Sequence, residues 1–94
     1  SIVSCKVIGV LLMTDEKGID EKIIAVPNDS VDLNSVNINN LDDLPKVTIT
    51  KIKHFFEHYK DNEKNKWSKV EGYKDKPFAI ELIKKYALEP ERFY

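Results

Sequence analysis

The sequence predicts an α+β fold, and three observations carry the prediction. The stretch from Ile2 to Met13 is almost continuously aliphatic or β-branched. After a charged, glycine-bearing interruption, Lys22-Ile23-Ile24-Ala25-Val26 resumes that character and stops at Pro27. From about Pro45 the apolar residues change to helical spacing, so extended and helical segments follow one another in 94 residues. A chain of this length makes one domain at most, with a modest core.

The first run suits a strand buried on both faces better than a helix, because it lacks polar alternation and carries Gly9 in its middle. The break Thr14-Asp15-Glu16-Lys17-Gly18-Ile19-Asp20 has turn chemistry, so the two runs form a β-hairpin with Glu16, Lys17 and Gly18 at its tip and Asp15 and Asp20 near the strand ends. Asn28 to Asn40 is rich in Asn, Asp and Ser, whose side chains bond their own backbone, and is expected to be a loop. Asn40-Leu41-Asp42-Asp43-Leu44-Pro45 then offers an aspartate cap and a proline at a helix start. Ile49, Ile52, Phe55, Phe56 and Tyr59 recur at helical spacing, predicting a helix over about Pro45–Lys60 with that stripe on the core. Lys51, Lys53, Glu57 and Lys60 lie off it. Trp67–Tyr73 is expected to be a strand and Lys76–Tyr86 a last helix packing Phe78, Leu82, Ile83 and Tyr86, with a loose end from Glu89.

Composition removes several functional classes. The 15 basic and 16 acidic residues are well mixed and give a net charge of -1, so no broad basic field exists to hold nucleic acid. The single Cys5 excludes an internal disulfide and a multi-cysteine zinc cluster, and fits a reducing, cytoplasmic setting. The apolar run Val7–Met13 is too short to span a bilayer and meets Asp15 and Glu16. No membrane association is expected.

Three constellations could carry chemistry. Asp15 and Asp20 flank a tight turn and can converge on a divalent cation, with Lys22, two residues beyond Asp20, on the same sheet face; a solvated acidic hairpin tip is the bland alternative. His54-Phe55-Phe56-Glu57-His58-Tyr59-Lys60 contains H-x-x-E-H, the inverted zinc-peptidase signature, and places two imidazoles one helical turn apart. A catalytic zinc takes three protein ligands, however, and these are the only histidines, so an ordinary amphipathic helix explains the stretch better. In Lys66-Trp67-Ser68-Lys69-Val70-Glu71-Gly72-Tyr73, basic and aromatic residues interleave as on an oligonucleotide-binding surface, or as on a half-buried strand.

Read together, these stretches are ordered. Ile8-Gly9-Val10, Met13-Thr14-Asp15-Glu16, Gly18, Asp20, Lys22, Ala25-Val26-Pro27, Asp43-Leu44-Pro45, His54 to Lys60, Lys66-Trp67 and Lys69-Val70-Glu71-Gly72 resemble, in order and spacing, the C-terminal part of soluble family I inorganic pyrophosphatases of the bacterial and plant type. The resemblance runs from about Ile8 to Tyr86. It implies part of an oligonucleotide-binding-like five-stranded β-barrel with two flanking helices, and Mg²⁺-dependent hydrolysis of pyrophosphate to two phosphates. By the same resemblance Asp15 and Asp20 are metal ligands, Asp15 also helps activate the attacking water, Lys22 contacts phosphate oxygens, and Tyr59 and Lys60 bind the outgoing phosphate. Family members form homo-oligomers, hexamers in the bacterial type.

The family's D-G-D-P-L-D motif and its upstream lysine, arginine and tyrosines do not occur in these residues. Residues 1–94 are therefore expected to be a single partial domain, inactive alone, whose two aspartates bind Mg²⁺ weakly. Two rival readings accompany this one: a zinc hydrolase built on His54, Glu57 and His58, and a non-catalytic binding or assembly module that uses the Trp67 strand and exposed sheet edges.

Overall fold

A computed structural model describes residues 5–27 and 38–87. Residues 28–37 of the loop expected over Asn28–Asn40, the residues before Cys5 and the loose end from Glu89 lie outside the described part. The elements run β1 (Cys5–Asp15), β2 (Gly18–Ile19), β3 (Lys22–Pro27), a 3-10 turn (Leu41–Asp43), α1 (Lys46–His58), β4 (Ser68–Asp75) and α2 (Lys76–Ala87). The class is α+β as the sequence implied, with an open antiparallel sheet of four strands and two helices.

β1 is the central strand. Leu11 pairs with Lys22 of β3 and with Tyr73 of β4, and Asp15 pairs with Gly18 of β2 and Ser68 of β4, so both edges of β1 are used. β2 and β3 continue one returning chain in a single register, Thr14 opposite Ile19 and Leu11 opposite Lys22. This is the predicted hairpin, with Glu16 and Lys17 in the turn.

A strand with both edges paired and helices on both faces has no wet side, which is why β1 reads as a nearly unbroken apolar run. Ile8 packs with Ile38, Leu41 and Ile49, on the face covered by the 3-10 turn and α1, whereas Val10 packs with Ala79 and Leu82 of α2. Two residues that far apart on a regular strand would share a face. They do not, because the register of β1 against β3 shifts between Val7 and Gly9, and such a bulge turns the following residues over. It leaves Gly9 facing Leu41, where a Cβ would come within 2.6 Å of the Leu41 Cδ1 and 2.6 Å of the Lys74 carbonyl oxygen.

Three expectations about the helices need correction. Asp42 and Asp43 do not cap α1. Asp43 Oδ2 instead accepts from the backbone N–H groups of Asn39 and Asn40, each at 2.9 Å, closing the 3-10 turn, while α1 begins on the Pro45 carbonyl. Asn40 Oδ1 accepts from the N–H of Lys76 at 3.0 Å, satisfying a free donor at the start of α2. The apolar stripe of α1 is also narrower than its periodicity suggested: Ile49 is buried and Ile52 and Phe56 half-buried, but Phe55 is 59% exposed and Tyr59 38% exposed. α1 packs against β4, which among the described residues pairs only with β1, and of the α1 residues Ile49 alone is buried. On α2, Ala79 and Leu82 are buried, whereas Phe78 and Ile83 face outward.

Candidate functional site

The site is built where four segments meet at one end of the sheet. β4 begins at Ser68, one residue later than the sequence suggested, opposite Asp15 at the end of β1. The Ser68 hydroxyl donates to the carbonyl oxygen of Phe56, tying the start of β4 to the last turn of α1. The helix stops at Tyr59, and tight turns from His58 to Lys66, with Asn65 in the left-handed region at φ 64°, carry the chain back to β4. Lys60, just past the helix end, is thereby directed at the hairpin tip.

Asp15 divides its two oxygens. Oδ1 accepts from the N–H of Lys17 at 2.9 Å, an Asx-type turn contact, and Oδ2 lies 3.0 Å from Lys60 Nζ. Both side chains are largely enclosed, with 14% of Lys60 and 11% of Asp15 exposed. The hydrogen bond from Lys60, then that from the Lys17 amide, hold the Asp15 carboxyl below its ordinary range. The same contact with Asp15 raises the Lys60 ammonium. Both groups are charged at neutral pH.

The second aspartate, Asp20, closes the hairpin through its N–H to the Met13 carbonyl at 3.0 Å, and its carboxylate lies 3.1 Å from Lys22 Nζ. Lys22 Nζ also stands 5.9 Å from the centroid of Tyr59 and 6.0 Å from that of Phe56, while Lys60 Nζ is 5.6 Å from Tyr59. The exposed Tyr59 ring, stacked on Phe55 at 5.9 Å and edge-on to Phe56 at 5.6 Å, is therefore flanked by two ammonium groups. All five residues singled out in the sequence, Asp15, Asp20, Lys22, Tyr59 and Lys60, come together here. The arrangement offers paired cations to an anion and carboxylate oxygens to a hard cation.

One member was missed. Glu16, expected in a solvated tip, folds inward: Oε2 is 3.5 Å from Lys60 Nζ and Oε1 accepts from the N–H of Trp67 at 3.2 Å. Burial pushes its carboxyl up, but the Trp67 N–H and the Lys60 charge outweigh burial and leave it lowered. Its adjacency to Asp15 was a signal of sorts. Adjacent strand residues point to opposite faces, however, and only the turn lets both carboxylates face one lysine. The indole of Trp67 is half exposed and lies just before β4, so what joins this residue to the site is its backbone.

The histidine constellation is separate. The His54 and His58 rings lie 4.4 Å apart, and His58 Nδ1 is 2.8 Å from Asp61 Oδ2. Among the described residues no three His, Cys, Asp or Glu side chains converge to hold a metal ion. For Mg²⁺ the oxygen donors Asp15 and Asp20 are therefore right in kind and incomplete in number.

Similarity to known proteins points the same way. The family model described as inorganic pyrophosphatase matches residues 1–89. The inorganic pyrophosphatase of Campylobacter jejuni is 51% identical over 85 residues, covering 90% of this chain and 49% of that protein. That of Rickettsia typhi is 55% identical over 84 residues, covering 89% and 47%. The solved Helicobacter pylori inorganic pyrophosphatase superposes with a TM-score of 0.83 at 50% identity, covering 90% of this chain and 50% of that one. The Thermus thermophilus enzyme gives 0.77 at 42% identity, covering 84% and 45%. The chain thus spans about half the length of the relatives it matches. With a match along most of its length, the chain belongs to the inorganic pyrophosphatase family.

Proposed function

We propose that the chain is the C-terminal portion of a pyrophosphatase that hydrolyses inorganic pyrophosphate to two phosphates, with Mg²⁺ as its metal. The observation that carries this reading is the cluster in which Lys22 and Lys60 flank Tyr59 beside Asp15 and Asp20. Pyrophosphate is a dense anion, and its cleavage places further negative charge on the departing phosphate. Lys22 and Lys60 neutralise that charge, and the Tyr59 hydroxyl donates a directional hydrogen bond to a phosphate oxygen. Asp15, kept ionised by Lys60, accepts a proton from the attacking water or orients it. Asp15 and Asp20 would hold Mg²⁺ together with donors from the rest of the protein, and the ion supplies charge neutralisation and acidifies a water it binds.

In this reading the open sheet is completed into a five-stranded barrel by upstream residues, which also bring the remaining metal ligands and substrate contacts. The complete protein is a cytoplasmic homo-oligomer, hexameric as in the bacterial type. The decisive experiment is Mg²⁺-dependent phosphate release by the complete protein and by residues 1–94 alone. Activity is expected in the first and little or none in the second; full turnover by the 94 residues would show that nothing upstream is required. The zinc reading, built on His54, Glu57 and His58, gains no third ligand among the described residues, and no observation favours it.

A further inference from the structure

We infer that Glu16 is a positioning residue that holds Lys60 toward the phosphate side of the site by joining the hairpin tip to the segment between α1 and β4. The inference rests on the pyrophosphatase reading for its consequence in turnover, and on geometry alone for the contact itself. Lys60 follows the helix end directly, in a run of hydrogen-bonded turns that set its backbone, while the place of its long side chain is set by what faces it. Lys60 has only 14% of its side chain exposed, because two carboxylates on consecutive residues face it, Asp15 at 3.0 Å and Glu16 at 3.5 Å.

The two carboxylates do different work. Asp15 is the one that serves the reacting water and the cation, and a carboxylate so engaged has less charge left for a lysine. Glu16 is free of that duty. Its other oxygen is fixed by the N–H of Trp67, so the carboxylate stands at a set place between the hairpin tip and the residues just before β4. Because Trp67 is followed by Ser68, whose hydroxyl binds the Phe56 carbonyl, the Glu16 contact closes a loop around the segment that carries Lys60. A lysine held this way meets a phosphate oxygen without first having to be ordered, which is where an oriented charge gains over a mobile one.

The test uses Glu16→Gln in the complete protein. The amide oxygen can keep the Trp67 contact, while an NH2 replaces the oxygen that faces Lys60, so the substitution removes both the charge and the hydrogen-bond acceptor on that side. Glu16→Gln is expected to lower kcat/KM for pyrophosphate by about five-fold and to weaken inorganic phosphate binding by a similar factor. Glu16→Asp should restore part of the loss. In a Lys60→Met background the Glu16→Gln change should cause no further loss, because the route assigned to it is through Lys60. Equal losses in both backgrounds, or a fall in melting temperature with kinetics unchanged, would overturn the assignment. If the complete wild-type protein releases no phosphate, the hydrolytic reading fails and the contact is judged by amine-selective labelling of Lys60, read by mass spectrometry without substrate. Faster labelling in Glu16→Gln than in wild type supports the contact, and equal rates refute it.

Discussion

At the scale of single residues, Lys60 links the site's charges, and two predictions follow from its contacts. Lys60→Met removes a cation from the proposed phosphate side and leaves Asp15 and Glu16 facing each other uncompensated. Phosphate release by the complete protein should fall about a hundredfold or more, in steady-state kinetics. Asp20→Ala should cause a comparable loss, accompanied by weaker Mg²⁺ binding in titration calorimetry; an unimpaired Asp20→Ala protein would remove Asp20 from the site. The pH dependence follows from the same ion pair. The folded state lowers the Asp15 pKa from its ordinary 3.8, so the stabilisation is present above that value and is lost as pH falls through the lower folded one. For Lys60 the folded state raises the pKa from 10.5, so its contribution is complete below that value and is lost only as pH rises through the higher folded one. Thermal melts on the acid side should show a shallower fall for Asp15→Asn than for wild type.

At the scale of elements, the bulge in β1 decides how the two layers sit on the sheet. It puts Ile8 and Gly9 together on the face toward the 3-10 turn and returns Val10 to α2, so one strand anchors both helices. Gly9→Ala would drive a methyl group into Leu41 and the Lys74 carbonyl, and backbone cannot yield as a side chain can. A destabilisation of about 1–3 kcal/mol is expected by denaturant titration, the usual range for overpacking a tight core. The last turn of α1 behaves oppositely. Phe55 projects into solvent, so Phe55→Ser should leave the melting temperature of the chain nearly unchanged, whereas Ile49→Ala, in the core, should lower it clearly.

At the scale of the whole molecule, the described sheet is open and the apolar side chains of Ile19, Ile23, Phe55 and Trp67 are exposed. A domain with so small a core is marginal on its own, since burial falls with size. Supplying the upstream portion in trans, as a separately expressed polypeptide, should raise the melting temperature of residues 1–94 and bring back Mg²⁺-dependent phosphate release. Stabilisation without activity would place the missing donors elsewhere; neither effect would mean that the two parts do not form one barrel.

Much of this protein was determined by its sequence alone. The unbroken apolar run set a two-sided buried strand, the charged glycine turn set the hairpin, and the change to helical spacing set α1, because these are local consequences of backbone sterics and periodic burial. The order of short motifs from Ile8 to Gly72 also named the family and singled out Asp15, Asp20, Lys22, Tyr59 and Lys60. Other features depended on distances that no local pattern encodes. The exposure of Phe55 depends on which face of α1 meets the sheet, and the opposite faces of Ile8 and Val10 reflect a one-residue bulge. The turn of Glu16 toward Lys60 needed the hairpin tip, the helix end and the start of β4 to be brought within hydrogen-bond reach. Adjacent residues in sequence say nothing about a charge 44 positions away, and only tertiary packing places it there.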